Sequence, residues 1–324
     1  MAKVIDTRTA PEAALQEAVA VLGRGLPIAI PTETVYGLAA DATNPEAIAR
    51  IYETKGRPRF NPLICHVADL EMADRYVRFD PLSRILAEAF WPGPLTLILP
   101  VRPDAPIHPL VRAGLETVGI RVPDGFANRL IAAFGRPLAA PSANTSGRIS
   151  PTNADHVNAD LGDRIELILD GGAAKVGLES TILKVVDGSV HLLRPGGLNV
   201  ADVERLTGSK VIRPKGAGAT IEAPGMLASH YAPHAGVRLN ARQVTPGEAL
   251  IRFGGTALPG EERAAIVLDL SPAGDLREAA ANLFGYMQEA DATGARTIAF
   301  SPIPATGLGE AINDRLERAA APRN

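Results

Sequence analysis

This chain of 324 residues is poor in cysteine and in aromatic residues. Its one cysteine, Cys65, excludes an internal disulfide framework and a cysteine-rich zinc site, and it favours a reducing compartment such as the cytoplasm. Aromatic residues make up 4% of the chain, which is few for a protein that stacks on nucleic-acid bases. No apolar run is long enough to span a membrane. Residues 1–25 carry Glu12 and Glu17 within an apolar periodicity, which predicts an amphipathic helix and not a signal peptide.

The usual catalytic and phosphate-binding motifs are also missing. Neither the P-loop pattern nor a G-x-G-x-x-G after a predicted strand occurs, so neither explains a nucleotide site. Cys65 and His66 are neighbours in a predicted strand and point to opposite faces, which excludes a dyad between them and makes Cys65 a core thiol. His230 and His234 have helical spacing, but Pro233 interrupts it, so no metal site built from protein side chains is predicted.

The charge is unevenly distributed along the chain. The net charge is −3, yet residues 50–150 contain 13 Lys and Arg against 9 Asp and Glu, a balance of +4. The positive part therefore favours a local anion site over a broad nucleic-acid face.

The stretch from residue 28 to residue 67 concentrates hydroxyls, cations and rigid turns. Its apolar run from Leu26 to Ile30 predicts a buried strand, and Thr32, Thr34 and Tyr36 follow the strand end, where α/β proteins usually bind ligands. A helix is predicted to begin after the cap Asn44 and to stop at Gly56.

Two cations, Lys55 and Arg57, flank that stop. They could simply stabilise the helix dipole. Pro58 and Pro62, however, restrict the backbone that follows, and rigid cations beside hydroxyls suit a ligand with several anionic oxygens, such as a nucleotide polyphosphate.

Further along, TVGIRV from Thr117 predicts a strand with Thr117, Gly119 and Arg121 on one face. Arg121 could hold a carboxylate there, or could lie in solvent on an edge strand. After a short strand, PSANTSG from Pro141 predicts a polar turn.

Asp187 and Gly188 predict a two-residue hairpin turn between two strands. Counting outward from this turn places Thr181 opposite Arg194, and it places Ser180 at the same end as Arg194. The region from Thr207 to Gly236 predicts an interdomain linker, and the strands and helices after it predict a small parallel α/β domain.

Five motifs resemble those of a known family: PTETVYGL from Pro31, KGRPRFNPL from Lys55, WPGPLT from Trp91, PSANTSG from Pro141 and HYAP from His230. Together they resemble the YrdC-domain family of L-threonylcarbamoyladenylate synthases in its long two-domain form. The resemblance implies an open twisted YrdC-like α/β sheet domain over residues 1–206, a linker over 207–236 that crosses the active-site mouth, and a smaller Rossmann-like parallel α/β domain over 237–324.

The family's reaction joins L-threonine, bicarbonate or carbon dioxide, and ATP into threonylcarbamoyl-AMP and releases pyrophosphate. It is the first step of threonylcarbamoyladenosine modification of tRNA, and a separate transferase complex uses the product. The resemblance thus implies a nucleotidyltransferase; direct tRNA binding is left open. Mg²⁺ is expected to be held mainly by the ATP phosphates, because the motifs contain no carboxylate cluster.

The resemblance also implies roles for individual residues. The catalytic residues would be Lys55 and Arg57. The ATP-binding residues would be Lys55, Arg57, Asn61, Thr117, Ser142, Asn144, Ser150, Arg194 and Tyr231. The residues for L-threonine or its carbamate would be Thr34, His66, Arg121 and Ser180. Leu227 and Ala228 stand where the family commonly has basic residues, so the linker is not expected to add charge at the phosphates.

Two alternatives remain. One is a non-catalytic RNA-binding or regulatory module on the same fold, which the scarcity of aromatic residues and the acidic total disfavour. The other is an O-carbamoyltransferase that embeds such a domain, but those proteins carry further catalytic regions for which this chain has no room.

Overall fold

The computed structural model describes residues 1–213, 223–224 and 229–322. Leu227 and Ala228 lie outside the described residues. The strands of the larger domain are β1 (Lys3–Asp6), β2 (Ile28–Ile30), β3 (Gly37–Asp41), β4 (Ile64–His66), β5 (Leu95–Pro100), β6 (Thr117–Arg121), β7 (Leu138–Ala139), β8 (Leu167–Asp170), β9 (Thr181–Val186) and β10 (Ser189–Arg194). Its helices are α1 (Pro11–Gly23), α2 (Pro45–Lys55), α3 (Leu70–Asp74), α4 (Pro81–Phe90), α5 (Phe126–Phe134), α6 (Ala154–Leu161) and α7 (Val200–Thr207).

The smaller domain contains β11 (Gly236–Arg238), β12 (Ala249–Arg252), β13 (Ile266–Asp269) and β14 (Thr297–Phe300), a short 3₁₀ turn (Glu261–Arg263), and the helices α8 (Leu276–Ala292) and α9 (Leu308–Ala320). Its strands run in the order β11-β14-β12-β13 and all of them pair in parallel. This confirms the predicted small parallel α/β arrangement. No helix among the described residues is long and apolar enough to cross a membrane.

The larger domain is a mixed sheet of ten strands in the order β1-β8-β2-β3-β7-β4-β6-β5-β9-β10. Strand β6 lies inside this sheet, parallel to β4 and antiparallel to β5. An exposed edge position for Arg121 is therefore wrong, and the side chain is buried. Val118 and Ile120 point into the main core, while Gly119 and Arg121 belong to the opposite face because side chains alternate along a strand. That opposite face carries the candidate site.

Local signals explain the helix that enters this site. The Asn44 side chain accepts hydrogen bonds from the backbone N–H groups of Glu46 and Ala47 at the start of α2, at 2.9 and 3.2 Å. Gly56 ends the helix in the left-handed conformation with φ 59°, which glycine adopts without a steric penalty. The predicted beginning and end of this helix are confirmed.

Two predictions about local structure are wrong. Residues 1–25 are not one helix: Lys3–Asp6 form β1, which pairs in parallel with β8, and the helix begins only at Pro11. In the hairpin, Val186 faces Ser189 as predicted, but Arg194 faces Ile182 and not Thr181. A β-bulge after Leu192 shifts the register, because a bulge sets two residues of one strand against one of its partner.

The smaller domain packs directly against the face that carries the site. Val35, Ile149 and Leu178 of the larger domain belong to the same buried apolar cluster as the core of the smaller domain. At Gly177, with φ 73°, an added Cβ would lie 2.4 Å from the carbonyl oxygen of Ala280 on α8, so only glycine allows this close approach. The two domains therefore share one core at this boundary.

Candidate active site

A cavity of about 50 Å³ lies between the sheet face and the smaller domain. Its walls come from the loop after β2, the ends of β4 and β6, the loop after β7, the ends of the β9–β10 hairpin, and the segment between the domains. The polar and charged residues in its lining are Thr32, Thr34, Arg57, His66, Arg121, Ser142, Glu179, Ser180, Arg194, His230 and Tyr231. Chain segments far apart in sequence thus converge on one cavity.

Arg121 is fixed at one end of the cavity by three acceptors. Its Nε donates to the Gly93 carbonyl oxygen at 3.1 Å, Nη1 to the Thr34 hydroxyl at 2.9 Å, and Nη2 to the Glu33 carboxylate at 2.5 Å. The turn from Trp91 to Pro94 thus contributes a backbone acceptor that helps to hold Arg121. A guanidinium has five N–H donors, so two of them remain for a ligand carboxylate. His66 pairs with Arg121 across β4 and β6 and lies on the same face.

Arg57 is held by the loop that follows it. Its Nε and Nη2 donate to the backbone carbonyls of Asn61 and Pro62, at 3.2 and 2.8 Å. Burial lowers the pKa of Arg57 to about 10, which reflects the cost of a cation removed from water. No described carboxylate lies within salt-bridge distance of it. The rigid loop therefore presents a buried cation without a matching anion.

Lys55 holds the PSANTSG loop through hydrogen bonds to its backbone. Its Nζ donates to the carbonyl oxygens of Ser142, at 2.6 Å, and of Asn144. Burial and the charge of Arg57 lower the pKa of Lys55 well below its usual value. Both acceptors are neutral, so this ammonium too has no described carboxylate partner.

Arg194 is the third buried cation of this kind. Its Nη2 donates to the Ser180 carbonyl at 2.9 Å and to the Ser180 hydroxyl at 3.2 Å, and Nη1 donates to the Pro224 carbonyl at 3.2 Å. Burial lowers its pKa. The predicted proximity of Ser180 and Arg194 is thus found despite the bulge.

Several buried polar atoms around the cavity have no hydrogen-bond partner among the described residues. They are both side-chain polar atoms of Asn61, Nδ1 of His66, Oδ1 of Asn144, Nδ1 of His230 and Nη2 of Arg315. Buried polar groups in folded proteins are normally paired, so these atoms indicate positions for a polar ligand or ordered water. Burial lowers the pKa of both His66 and His230 to about 3, so both imidazoles are neutral at physiological pH.

Tyr231 closes the side of the cavity that faces the smaller domain. It has φ 63°, an uncommon conformation for a residue other than glycine, and its ring stacks on Phe284 of α8 with centroids 5.4 Å apart. The adjacent His230 ring lies edge-on to it at 4.1 Å. The smaller domain therefore holds the ring in place.

Of the residues predicted for the site, eight line the cavity: Thr34, Arg57, His66, Arg121, Ser142, Ser180, Arg194 and Tyr231. Four others, Lys55, Asn61, Asn144 and Ser150, are buried outside its lining. Thr117 lies four residues before Arg121 on β6, roughly 13 Å away at about 3.3 Å per residue. It borders a separate groove with Lys184. Tyr36 lies outside the cavity and donates its hydroxyl to the Gly172 carbonyl at 2.7 Å.

Sequence reasoning missed Glu33, Glu179 and Arg315. Glu33 pairs with Arg121, and Glu179 lines the cavity while it pairs with Arg315 at 2.9 Å. Arg315 carried a usable signal, because it falls on the apolar stripe of α9 with Ile312 and Ala319. Glu33 and Glu179 carried no such signal in the sequence.

Two family models together match nearly the whole chain. Residues 20–196 match the Sua5/YciO/YrdC model, described as "Telomere recombination", and residues 198–321 match the model described as "Threonylcarbamoyl-AMP synthase, C-terminal domain". The threonylcarbamoyl-AMP synthase of Bacillus subtilis is 41% identical, and the alignment covers 99% of this chain and 96% of that protein. The protein of the same name from Pyrococcus abyssi is 39% identical, with 91% of each chain covered.

Two solved structures are similar to this chain over both domains. The crystal structure of P. abyssi Sua5 complexed with L-threonine has a TM-score of 0.86 at 35% identity, over 98% of this chain and 97% of that one. A double alanine variant of the same protein gives a TM-score of 0.88, over 99% and 96%. Sequence and structure therefore agree over both domains, and this chain belongs to the Sua5/YciO/YrdC family, in the two-domain form found among threonylcarbamoyl-AMP synthases.

Proposed function

We propose that this protein is a nucleotidyltransferase that synthesises L-threonylcarbamoyl-AMP from L-threonine, bicarbonate or carbon dioxide, and ATP, with release of pyrophosphate. Full-length relatives carry the name of this activity, and P. abyssi Sua5 was solved with L-threonine. The observation that carries the proposal is the set of three buried cations, Lys55, Arg57 and Arg194, none of which has a carboxylate of a described residue at ion-pair distance. Buried cations normally have an anionic partner, and a triphosphate would supply one.

The proposed chemistry needs no protein nucleophile. The threonine amine adds to carbon dioxide and loses a proton, which forms a carbamate. A carbamate oxygen then attacks the α-phosphate, the bond between the α-phosphorus and the bridging oxygen breaks, and pyrophosphate leaves with that oxygen. Cys65 takes no part, because it is buried in the core and burial raises its pKa to about 12.

L-Threonine would bind at the Arg121 end of the cavity. The two remaining N–H groups of Arg121 suit its carboxylate, while Thr34, the neutral His66 and Ser180 offer hydroxyl and imidazole groups for its polar atoms. These neighbours would place the amine toward Arg57 and Arg194, where the charge develops during attack on phosphorus. Positioning and charge stabilisation would thus supply the catalysis.

ATP would bind along the same sheet face. Arg57, Arg194 and Lys55 would bind the phosphates. The rest of the nucleotide would be contacted by Asn61, Ser142, Asn144, Ser150 and Tyr231. Only the end of ATP remote from the phosphates would reach Thr117.

The residues present fit a magnesium ion that enters with ATP. The described residues contain no cluster of three or more His, Cys, Asp or Glu side chains able to hold a metal. Glu179, which lines the cavity, and Glu33, which holds Arg121, are already paired with arginines. Mg²⁺ would therefore keep phosphate and water oxygens as its ligands, and would screen the phosphate charge.

The proposed product would be consumed by a transferase complex that acts on tRNA. The cytoplasm remains the predicted location.

Pyrophosphate release from ATP tests the proposed function. Purified protein with Mg²⁺ and bicarbonate would be assayed with L-threonine, with L-serine and without an amino acid. We expect release to require both bicarbonate and L-threonine. Release without either substrate would identify a different nucleotide enzyme, and ATP binding without any release would favour the regulatory or RNA-binding alternative.

A further inference from the structure

One arginine of the smaller domain reaches the wall of the candidate active site. Arg315 lies on α9 and is the largest fully buried side chain among the described residues. Its neighbours on the same helix face are Ile312 and Leu316, so an apolar residue would ordinarily occupy this position. A fully buried guanidinium is costly unless it is paired and hydrogen-bonded, so its partners should indicate why it is there.

Those partners belong mainly to the larger domain. Nε of Arg315 donates to Oε2 of Glu179 at 2.9 Å, and Nη1 donates to the Pro195 carbonyl at 2.8 Å. Nη1 also donates to Asp314 on its own helix at 2.7 Å. The guanidinium carbon lies 5.2 Å from the ring centroid of Tyr231, within the range of a cation–π contact. Arg315 therefore connects α9 to two residues of the cavity wall, Glu179 and Tyr231, and to the backbone of Pro195.

Glu179 links Arg315 to Ser150. Its other oxygen, Oε1, accepts a hydrogen bond from the Ser150 hydroxyl at 2.5 Å. Burial alone would raise the pKa of Glu179, but the charges of Arg315 and Arg194 outweigh it and lower the pKa. An ionised carboxylate only accepts hydrogen bonds, so Ser150 must give its single proton to Glu179.

The direction of that hydrogen bond limits what Ser150 can bind. With its proton committed, the Ser150 oxygen has only lone pairs left. It can then accept from a ribose hydroxyl, an adenine amino group or a water molecule, but it cannot donate to a phosphate oxygen.

The same contact protects a phosphate-binding cation. Glu179 lines the cavity together with Arg194, whose guanidinium has no described carboxylate partner. A carboxylate at this position would compete with phosphate for Arg194. Because Arg315 holds Oε2 of Glu179, Arg194 stays available to a ligand.

We propose that Arg315 is a positioning residue for ATP: it holds Glu179 away from Arg194 and so fixes Ser150 as a hydrogen-bond acceptor. This inference rests on the proposed function. It assigns the smaller domain a direct part in nucleotide binding, through one side chain.

The test is a double-mutant cycle of Arg315→Met and Glu179→Gln, read as the KM for ATP and as the affinity for L-threonine without ATP. We expect Arg315→Met to raise the KM for ATP about tenfold or more, since a freed Glu179 competes for Arg194. L-Threonine affinity is expected to change less than about twofold. In the Glu179→Gln background no carboxylate remains to compete for Arg194, so Arg315→Met should change the KM for ATP by less than about threefold.

Arg238→Met is the matched control. Arg238 makes a bidentate pair with Glu248 within the smaller domain, at 3.0 and 2.5 Å, and neither residue lines the cavity. The control is expected to leave both readouts unchanged. If Arg315 served only domain packing, threonine and ATP binding would weaken together, or the effects of Arg315→Met and Glu179→Gln on the KM for ATP would multiply in the double variant. Either result would overturn the proposal.

Two further variants cover the case in which Arg315→Met does not fold. Arg315→Lys keeps the charge but cannot hold Glu179 and Pro195 together, so an intermediate rise in the KM for ATP is expected. Glu179→Gln alone lets Ser150 turn its proton toward the ligand, and it should raise this KM severalfold. Unchanged values in both variants would disprove the inference.

The proposed function and this inference can fail separately. ATP affinity measured directly by calorimetry reports the effect of Arg315 even if the wild-type protein releases no pyrophosphate. An active wild type with an equally active Arg315→Met variant would reject the inference alone.

Discussion

Two partly buried arginines of the smaller domain and two buried arginines of the larger domain have different partners. In the smaller domain, Arg238 pairs with Glu248, and Arg252 pairs with both Glu261 and Asp269. In the larger domain, Arg57 and Arg194 are more deeply buried, yet their described acceptors are backbone carbonyls and a serine. Ion pairs that are complete within the protein support the fold, whereas cations left without an anion indicate a ligand.

The largest effect is expected for Arg57→Met, which removes one of the unmatched cations. We expect a loss of about 2–4 kcal/mol of transition-state stabilisation, by analogy with the removal of one oxyanion-hole donor. The free energy of unfolding should change little, because Arg57 makes no ion pair with a described residue. The kcat/KM for pyrophosphate release and a denaturant titration measure the two quantities. Activity close to that of the wild type would contradict the assignment of Arg57.

Arg252→Met gives the opposite pattern and is the next largest effect. It leaves Glu261 and Asp269 without their partner, and we expect a loss of about 1–3 kcal/mol in the free energy of unfolding. The kcat/KM should stay within about twofold of the wild-type value below the unfolding transition, because Arg252 is remote from the cavity. A large loss of activity in the folded variant would show that the distinction between the domains is wrong.

The two domains should also lose stability in different pH ranges. Burial lowers the pKa of His66 to about 3, while the unfolded chain titrates near 6.5. As pH falls below about 6.5 the unfolded state therefore takes up the proton first, and stability falls by about 1 kcal/mol per pH unit for this residue. Arg238 lowers the pKa of Glu248, so that pair is lost only as pH falls below the range of an ordinary glutamate, near 4.3.

Urea titrations of the wild type and of His66→Asn at pH 7, 6 and 5 measure this difference. The variant should show a shallower fall in unfolding free energy over this range. Equal slopes for the two proteins would mean that His66 is not held neutral in the folded state.

Local features of this chain could be predicted from sequence because local physics determines them. The helix from Pro45 to Lys55 has a cap, a proline and a glycine stop within one short segment. The hairpin turn at Asp187 was equally clear, but the bulge after Leu192 was not, since a bulge depends on how the two strands fit the rest of the sheet. Strand β1 was missed because its partner, β8, is more than 160 residues away.

The same limit applies to the candidate site. Lys55 and Arg57 lie in one compact motif and Ser142 and Asn144 in another, and only the resemblance to a known family implied that the two motifs serve one site. The contact between Glu179 and Arg315 joins residues 136 apart in two domains. No spacing rule predicts such a pair, because only the packing of α9 against the larger domain brings the two side chains together.

The most direct test of the central claim is mass spectrometry of the reaction product. The protein would be incubated with ATP, Mg²⁺, L-threonine and ¹³C-labelled bicarbonate. The account predicts an adduct of threonine, one labelled carbon and AMP, formed in step with pyrophosphate. Pyrophosphate release without any labelled threonine-containing adduct would contradict it.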